Sequence, residues 1–186
     1  MTKIITKEAL LSYEHLFEPT SPEGSGAEPQ YSACLVFSKE TDLSDLKKAV
    51  DDAGKAKWGE KYDSLKESDS LRLPFRTDRL KEKGYQNGSV YINVRSKQQP
   101  GIASKYAGPD GKPQLITDHA EVYSGCKVRA TLSVFAYEKA GNRGVSFGLN
   151  NVQKLDDGER LDGRLKAEDD FEAIEDKPAD IDNMLS

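Results

Sequence analysis

Residues 125–155 read GCKVRATLSVFAYEKAGNRGVSFGLNNVQKL, and this stretch decides the fold. Between Val128 and Tyr137, small apolar residues alternate with polar, basic or aromatic ones. Because successive side chains of a β-strand point to opposite faces, the alternation predicts one face packed on a core and one face open to solvent. Residues 139–144, KAGNRG, are rich in types that accept a positive φ. We therefore predict a two-stranded hairpin.

The return strand of this hairpin changes its alternation near its end. Apolar residues occupy positions 145, 147 and 149, but the next one is Val152 rather than residue 151. A shift of one position turns the following side chains to the other face of the sheet, and a β-bulge is the usual cause. We therefore predict a bulge at Asn150 and Asn151, of the kind that bends strands in barrels.

A second segment, residues 90–97 (VYINVRSK), repeats this design, with apolar residues at alternate positions and aromatic, polar or basic ones between them. The preceding residues 71–84, LRLPFRTDRLKEKG, are basic and are interrupted by Pro74, which favours a loop. Both strands are therefore predicted to present rings and cations on the face that stays open.

An open face that combines rings with cations favours binding of single-stranded nucleic acid, because cations pair with phosphates and bases stack on rings. Taken singly, each cation is an ordinary solvated charge, and Phe135 could be covered by a loop or by a helix. Double-stranded DNA is a second candidate partner, since a basic groove also attracts paired phosphates. The predicted contacts are Arg72, Arg76, Arg79, Lys81, Lys83, Tyr85, Tyr91, Arg95, Lys97, Lys105, Arg129, Phe135 and Tyr137.

The charge of this 186-residue chain is segregated along the sequence. The net charge is −5, which alone would disfavour a nucleic-acid partner. Residues 168–186, however, hold eight acidic residues and one lysine, a net −7 that leaves +2 on the rest. Residues 71–105 hold eight basic residues and two acidic ones. A basic middle and an acidic end are therefore the informative features.

The remaining patterns predict an all-β protein with a helical insertion. Strands are expected at residues 9–17, 31–37 and 115–116, and loops at 19–29 and 98–106. Apolar residues recur at helical spacing from Leu43 to Ala53, after the candidate caps Thr41 and Asp42. Short strands, glycine-rich turns and one inserted helix favour a small Greek-key β-barrel over an α/β layer.

The acidic end, residues 168–186, is predicted to be disordered because its apolar residues are too few to pay for ordering. It serves as a solubilising tail or as an interaction arm that imitates a phosphate backbone. In a further alternative, the protein is an adaptor whose tail is its main working part. The predicted partner-binding residues are Asp169, Asp170, Phe171, Asp180, Asp182, Met184 and Leu185.

The sequence favours no catalytic residue, cofactor or metal. Asp110, Asp118 and Glu121 suit a metal-dependent nuclease by type, yet turn formation and helix capping explain the two aspartates more simply. A zinc site built from Cys34, Cys126 and the two histidines, His15 and His119, lacks finger-like spacing. We expect the cysteines to be buried, reduced thiols.

No apolar run approaches the ~20 residues that a membrane span needs, and the first residues lack a signal-peptide pattern. We therefore expect a protein that has no membrane partner and lies in the cytoplasm, or in the host cytoplasm if a phage encodes it.

Several phrases, taken in order, resemble a known family. They are Tyr31-Ser32, Tyr91-Ile92-Asn93, SKQQPG at 96–101, VYSGC at 122–126, GLNNVQK at 148–154, DGE at 157–159, Gly163-Arg164 and Asp169-Asp170-Phe171. The chain resembles, over nearly its whole length, the phage-encoded single-stranded-DNA-binding proteins once catalogued as a domain of unknown function.

This resemblance implies an OB-fold core over residues 1–167 and an acidic tail over 168–186. It also implies a non-enzymatic role in phage DNA replication or recombination. Acidic tails of similar proteins recruit replication partners and compete with DNA for the binding groove, so the same is expected here.

Overall fold

A computed structural model of the chain describes residues 3–79, 82, 84–161 and 171–174. The described part contains eight strands, two α-helices and a 3₁₀ turn at His119–Glu121. The strands are β1 (Lys3–Ile5), β2 (Ala9–Thr20), β3 (Gln30–Phe37), β4 (Val90–Ser96), β5 (Gly101–Ala107), β6 (Pro113–Leu115), β7 (Lys127–Lys139) and β8 (Asn142–Asp156). The helices are α1 (Ser44–Trp58) and α2 (Lys61–Glu67), and both lie between β3 and β4.

Five of the strands close into a barrel. The pairs β2–β3, β3–β4, β7–β8 and β7–β2 are antiparallel, whereas β4 and β8 run parallel. The circuit β2-β3-β4-β8-β7 returns to β2, which is the five-stranded barrel of an OB-fold. Strand β1 extends the sheet beside β7, and the β5–β6 ribbon extends it beside β8. The predicted all-β barrel with a helical insertion is confirmed.

The alternation of the 125–155 stretch sets the inside and outside of this barrel. Val128, Ala130, Leu132 and Val134 are all at most 5% exposed and belong to the main hydrophobic core. The predicted bulge is confirmed, because Thr131 pairs with Asn151 while Leu132 pairs with Leu149, which leaves residue 150 unpaired. The bulge restores the inward direction of the apolar side chains that follow it.

The helical insertion follows the predicted stripe. Helix α1 begins at Ser44 with Leu43, rather than Thr41 or Asp42, at its N-cap position. Asp42 Oδ1 accepts a hydrogen bond from the backbone N–H of Ser44 at 2.9 Å in the preceding turn. Leu46 and Val50 are buried against the barrel. The sequence patterns did not predict α2, whose buried Tyr62 packs against Gly54 of α1.

Three further elements differ from the sequence expectation. The predicted loop at 98–106 is wrong, because β5 pairs there with the end of β8. Strand β1 was not anticipated, and three residues are too few for a periodic signal. The short strand expected at 115–116 ends at Leu115, and Ile116 turns into the core instead.

Residues 71–76 close a gap in the barrel wall, and we call them the 71–76 segment. Strands β4 and β8 pair only where Val94 meets Phe147 and Arg95 meets Gly148. Beyond that point the segment lies between them: Arg72 exchanges backbone hydrogen bonds with β8, and Arg76 with β4, at 2.9–3.0 Å. The predicted loop is therefore an irregular part of the wall.

Candidate nucleic-acid interface

A groove of ≈ 580 Å³ lies on the outer face of the barrel, where β4, β7, β8 and the 71–76 segment meet. Six of the predicted contact residues line it, namely Arg72, Arg76, Arg95, Lys97, Phe135 and Tyr137. Apart from these, the groove is lined by Gln30, Leu73, Pro74, Asn93, Ser96, Val145, Ser146 and Phe147. Residues that are far apart in the sequence thus form one concave surface.

The groove is strongly cationic. Among the described residues that line it, four side chains are basic and none is a carboxylate. Acidic groups reach two of these cations from outside: Asp78 lies 3.5 Å from Arg76, and Glu28 lies 3.9 Å from Lys97. Both pairs are largely exposed, so a phosphate can replace either carboxylate at little cost.

Two aromatic rings in the groove lie over glycines of the neighbouring strand. Tyr137 pairs with Gly144, and a Cβ added to that glycine would lie 2.6 Å from the Tyr137 hydroxyl oxygen. The Phe135 ring lies near Gly148, where an added Cβ would meet its Cε1 at 3.8 Å. Because glycine has no side chain, the rings can lie close to the sheet, and Phe135 remains 40% exposed. Such rings offer surfaces on which bases can stack.

The expected exposure of Tyr91 and Tyr85 is wrong. Tyr91 is 2% exposed, its hydroxyl donates to Asp78 at 2.5 Å, and burial raises its pKa. Tyr85 is 7% exposed and is hydrogen-bonded to the Cys34 sulfur at 3.2 Å. Arg79 lies over the rings of both Tyr91 and Tyr13, with its guanidinium carbon 5.1 Å and 4.6 Å from their centroids. Asp78, Arg79 and Tyr85 therefore cover the start of the β4 face, which opens only from Asn93 onward.

The predicted contacts Arg129 and Lys105 lie outside the groove. Arg129 is exposed on β7 and donates to Gln153 at 2.6 Å, and Lys105 is exposed on β5. Of the predicted tail residues, Phe171 is described and is 73% exposed. The remaining predictions, Lys81, Lys83, Asp169, Asp170, Asp180, Asp182, Met184 and Leu185, lie outside the described residues.

Sequence reasoning missed the polar floor of the groove. Gln30, Asn93 and Ser146 line it but were not among the predicted contacts. Asn93 stands two residues before Arg95 on β4, so the same alternation could have identified it. Gln30 and Ser146 carry no comparable signal, because their place depends on which strands become neighbours.

The structure gives ordinary roles to the groups that were considered for catalysis or metal binding. Asp118 caps the 3₁₀ turn by accepting from the N–H of Ala120, and Asp110 accepts from Lys112 in a turn. Cys34 and Cys126 are buried and form no disulfide, and burial raises the pKa of each thiol. Among the described residues, no group of histidine, cysteine and acidic side chains is placed to hold a metal ion. The helices of that part are all too short or too polar to span a membrane.

The barrel and its groove define the class of this molecule as an OB-fold protein with a cationic, ring-bearing outer face. Within that class, the chain belongs to the family described as "Enterobacter phage Enc34, ssDNA-binding protein", whose model matches residues 2–182. The family description names a binding protein and no reaction.

One relative and two solved structures illustrate these similarities. "Putative protein p50" of Acyrthosiphon pisum secondary endosymbiont phage 1 is 30% identical over 171 residues, which is 87% of each chain. The single-stranded DNA-binding protein of bacteriophage Enc34, solved in complex with ssDNA, is 22% identical with a TM-score of 0.65, over 86% of this chain and 89% of that one. The single-stranded DNA-binding protein gp2.5 of bacteriophage T7 is 10% identical with a TM-score of 0.63, over 89% and 98%. At these identities the two structures show the shared fold.

Proposed function

We propose that this chain is a non-catalytic protein that binds single-stranded DNA with little sequence preference during phage DNA replication or recombination. The groove carries the proposal, since it brings four cations and two surface rings from separate elements into one concavity, and no described residue lining it is acidic. Membership of a family described as ssDNA-binding supports the same reading.

The groove suggests how each part of a DNA strand would be held. Arg72, Arg76, Arg95 and Lys97 would pair with phosphates, and bases would stack on Phe135 and Tyr137. Stacking is worth about 1–3 kcal/mol per base and accepts every base, which explains the low sequence preference. Each phosphate neutralised on a single strand contributes about −0.7 to the slope of log K against log salt, so four of them would give about −3.

A titration of labelled oligonucleotides by fluorescence anisotropy tests this function. We expect tight binding of oligo(dT), weakening with salt at the stated slope, and no degradation of the oligonucleotide when Mg²⁺ is present. A matched duplex of the same length measures the preference for single strands. If the protein showed no salt-dependent binding to single strands, the alternative of a protein-interaction adaptor would be tested next. Mg²⁺-dependent cleavage of the oligonucleotide would point to a nuclease.

We further propose that residues 168–186 form an acidic tail beyond the binding domain of residues 1–167. Its eight acidic residues would compete with phosphates for the groove and would recruit replication or recombination proteins. Exposed Phe171 and Ile174 offer apolar contacts for such a partner. Truncation before Glu168 should raise DNA affinity at low salt, whereas equal affinity of both forms would remove the competition from the proposal.

A further inference from the structure

A second open surface lies beside the groove, on the outer side of β1, β7, β8 and β5, and we call it the lateral face. The register of the strands defines it, because directly opposed residues share a face of the sheet. One row across the sheet joins Lys3, Ser133 and Gly148. Two residues away along β7, a second row joins Ile5, Thr131, Asn151 and Gly101. The next row joins Arg129, Gln153 and Ala103.

The lateral face carries cations and holds no carboxylate within its three rows. Lys3 stands in the first row and Arg129 in the last. Lys105 is exposed two residues beyond Ala103 on β5, within an irregular part of that strand, and shares a depression with Asp156 and Asp157. The four strands contain only two carboxylates, Glu138 and Asp156, and these occupy the ends of β7 and β8. The middle of the face therefore holds no carboxylate from these strands.

Its surface between the cations is shallow and polar. Ser133 is hydrogen-bonded to the side chain of Asn150, and the Thr131 hydroxyl accepts from the backbone of Asn151. Gln153 accepts from Arg129 at 2.6 Å and donates to the Ser104 carbonyl at 3.0 Å, so this row is tied together across three strands. No bulky side chain interrupts these rows, and Ile5, at 59% exposed, offers an apolar contact at the edge.

The lateral face is continuous with the groove. Tyr137 and Phe135 in the groove belong to the same side of β7 as Ser133, Thr131 and Arg129. The eight steps along β7 from Tyr137 to Arg129 span about 26 Å, at ~3.3 Å per step. A strand that leaves the groove past Phe135 therefore meets this face without a turn.

We infer that the lateral face holds a second stretch of the same DNA strand, with Lys3, Arg129 and Lys105 as its phosphate contacts. This inference rests on the proposed function of the groove. It implies that binding depends on length in two regimes: short oligonucleotides occupy the groove alone, and longer ones add the lateral face and its three cations.

The salt dependence of binding separates the two surfaces. The triple variant Lys3→Gln, Arg129→Gln, Lys105→Gln is titrated with oligo(dT) of about six and about 20 nucleotides, sizes chosen around the ~4–16 nucleotides that one OB-fold covers. Each lost phosphate contact should make the slope of log K against log salt shallower by about 0.7. With the long oligonucleotide, the loss of three contacts should therefore make it shallower by about 2. With the short one, the slope and the affinity should match those of the unmodified protein.

The control removes the same charge elsewhere. Lys39, Lys47 and Lys61 are exposed cations before or within the helical insertion, and their replacement by Gln should leave both slopes unchanged. Thermal melting checks the fold of each variant. If the triple variant is poorly folded, the pair Lys3→Gln and Lys105→Gln, both at exposed positions, should still make the long-oligonucleotide slope shallower by about 1.4.

Two results would overturn the inference. An unchanged slope with the long oligonucleotide would show that DNA does not reach these cations. If the triple variant lost the same affinity for the short and the long oligonucleotide, no separate second stretch of DNA would be bound. If the unmodified protein bound neither oligonucleotide, the proposed function would be refuted, and this inference with it.

Discussion

Glycine residues position the rings of the groove, and this is visible at the scale of single atoms. Gly144 lies under Tyr137 and also against the carbonyl oxygen of Arg72, so a methyl group there would meet both. Gly148 leaves more room, with Phe135 at 3.8 Å from an added Cβ. The two glycines thus differ in the space that surrounding atoms leave for an added methyl group.

We expect Gly144→Ala to push the Tyr137 ring and the 71–76 segment outward. The overpacking should cost about 1–3 kcal/mol of folding free energy and should weaken binding of a short oligonucleotide. Gly148→Ala is the matched control, and it should keep the affinity because its methyl group makes an ordinary contact. Urea unfolding and anisotropy measure the two effects. Equal behaviour of both variants would contradict the account of the ring positions.

At Gly54 in α1, packing against Tyr62 opposes the higher helix propensity of alanine. In an exposed helix interior, replacing glycine by alanine stabilises the protein by up to ~1 kcal/mol. Here an added Cβ would lie against the buried Tyr62 ring, 2.7 Å from its Cζ. We expect Gly54→Ala to destabilise the protein by about 1–3 kcal/mol in urea unfolding and to leave DNA binding unchanged in the folded state. In a Tyr62→Ala background the sign should reverse.

The 71–76 segment combines core and groove within one short element. Leu73 and Phe75 pack on the barrel core, with the Phe75 ring edge-on to Phe147 at 6.0 Å between centroids. Arg72 and Arg76, which alternate with them, line the groove. The segment therefore orders two arginines through the burial of their neighbours.

The double variant Arg72→Gln, Arg76→Gln should keep this packing and lose only the charges. We expect the slope of log K against log salt for a short oligonucleotide to become shallower by about 1.4, with little change in thermal stability. The matched control is Lys47→Gln, Lys61→Gln in the helical insertion. A slope that stays the same in the arginine variant would show that these residues do not contact phosphates.

Elements with a long periodic signal could be predicted from the sequence, and elements defined by distant pairing could not. The alternation in β7 and β8 gave both strands and the bulge at residue 150, and the apolar stripe gave α1. Strand β5 lacks a signal of its own, since it exists through pairing with β8. The alternation also identified the outer side of β4, but it could not show that Asp78, Arg79 and Tyr85 fold over Tyr91.

At the scale of the whole molecule, segregated charge reconciles an acidic protein with a DNA-binding surface. The net charge of −5 comes from residues 168–186, and the remainder carries +2, with four of its cations gathered in the groove. The fold is shared with phage proteins at 22% and 10% identity. What the fold contributes is therefore a scaffold, and the groove side chains of this chain must be tested directly.

The most direct test is the affinity of the double variant Arg95→Ala, Tyr137→Ala for an oligo(dT) of about six nucleotides, measured by anisotropy. Loss of one stacking ring and one phosphate contact predicts binding that is weaker by about tenfold or more, and a salt slope that is shallower by about 0.7. The control variant Tyr106→Ala, Lys112→Ala removes the same types of side chain from the exposed β5–β6 ribbon and should bind normally. Normal binding by a folded Arg95→Ala, Tyr137→Ala variant would contradict the assignment of the groove as the DNA site.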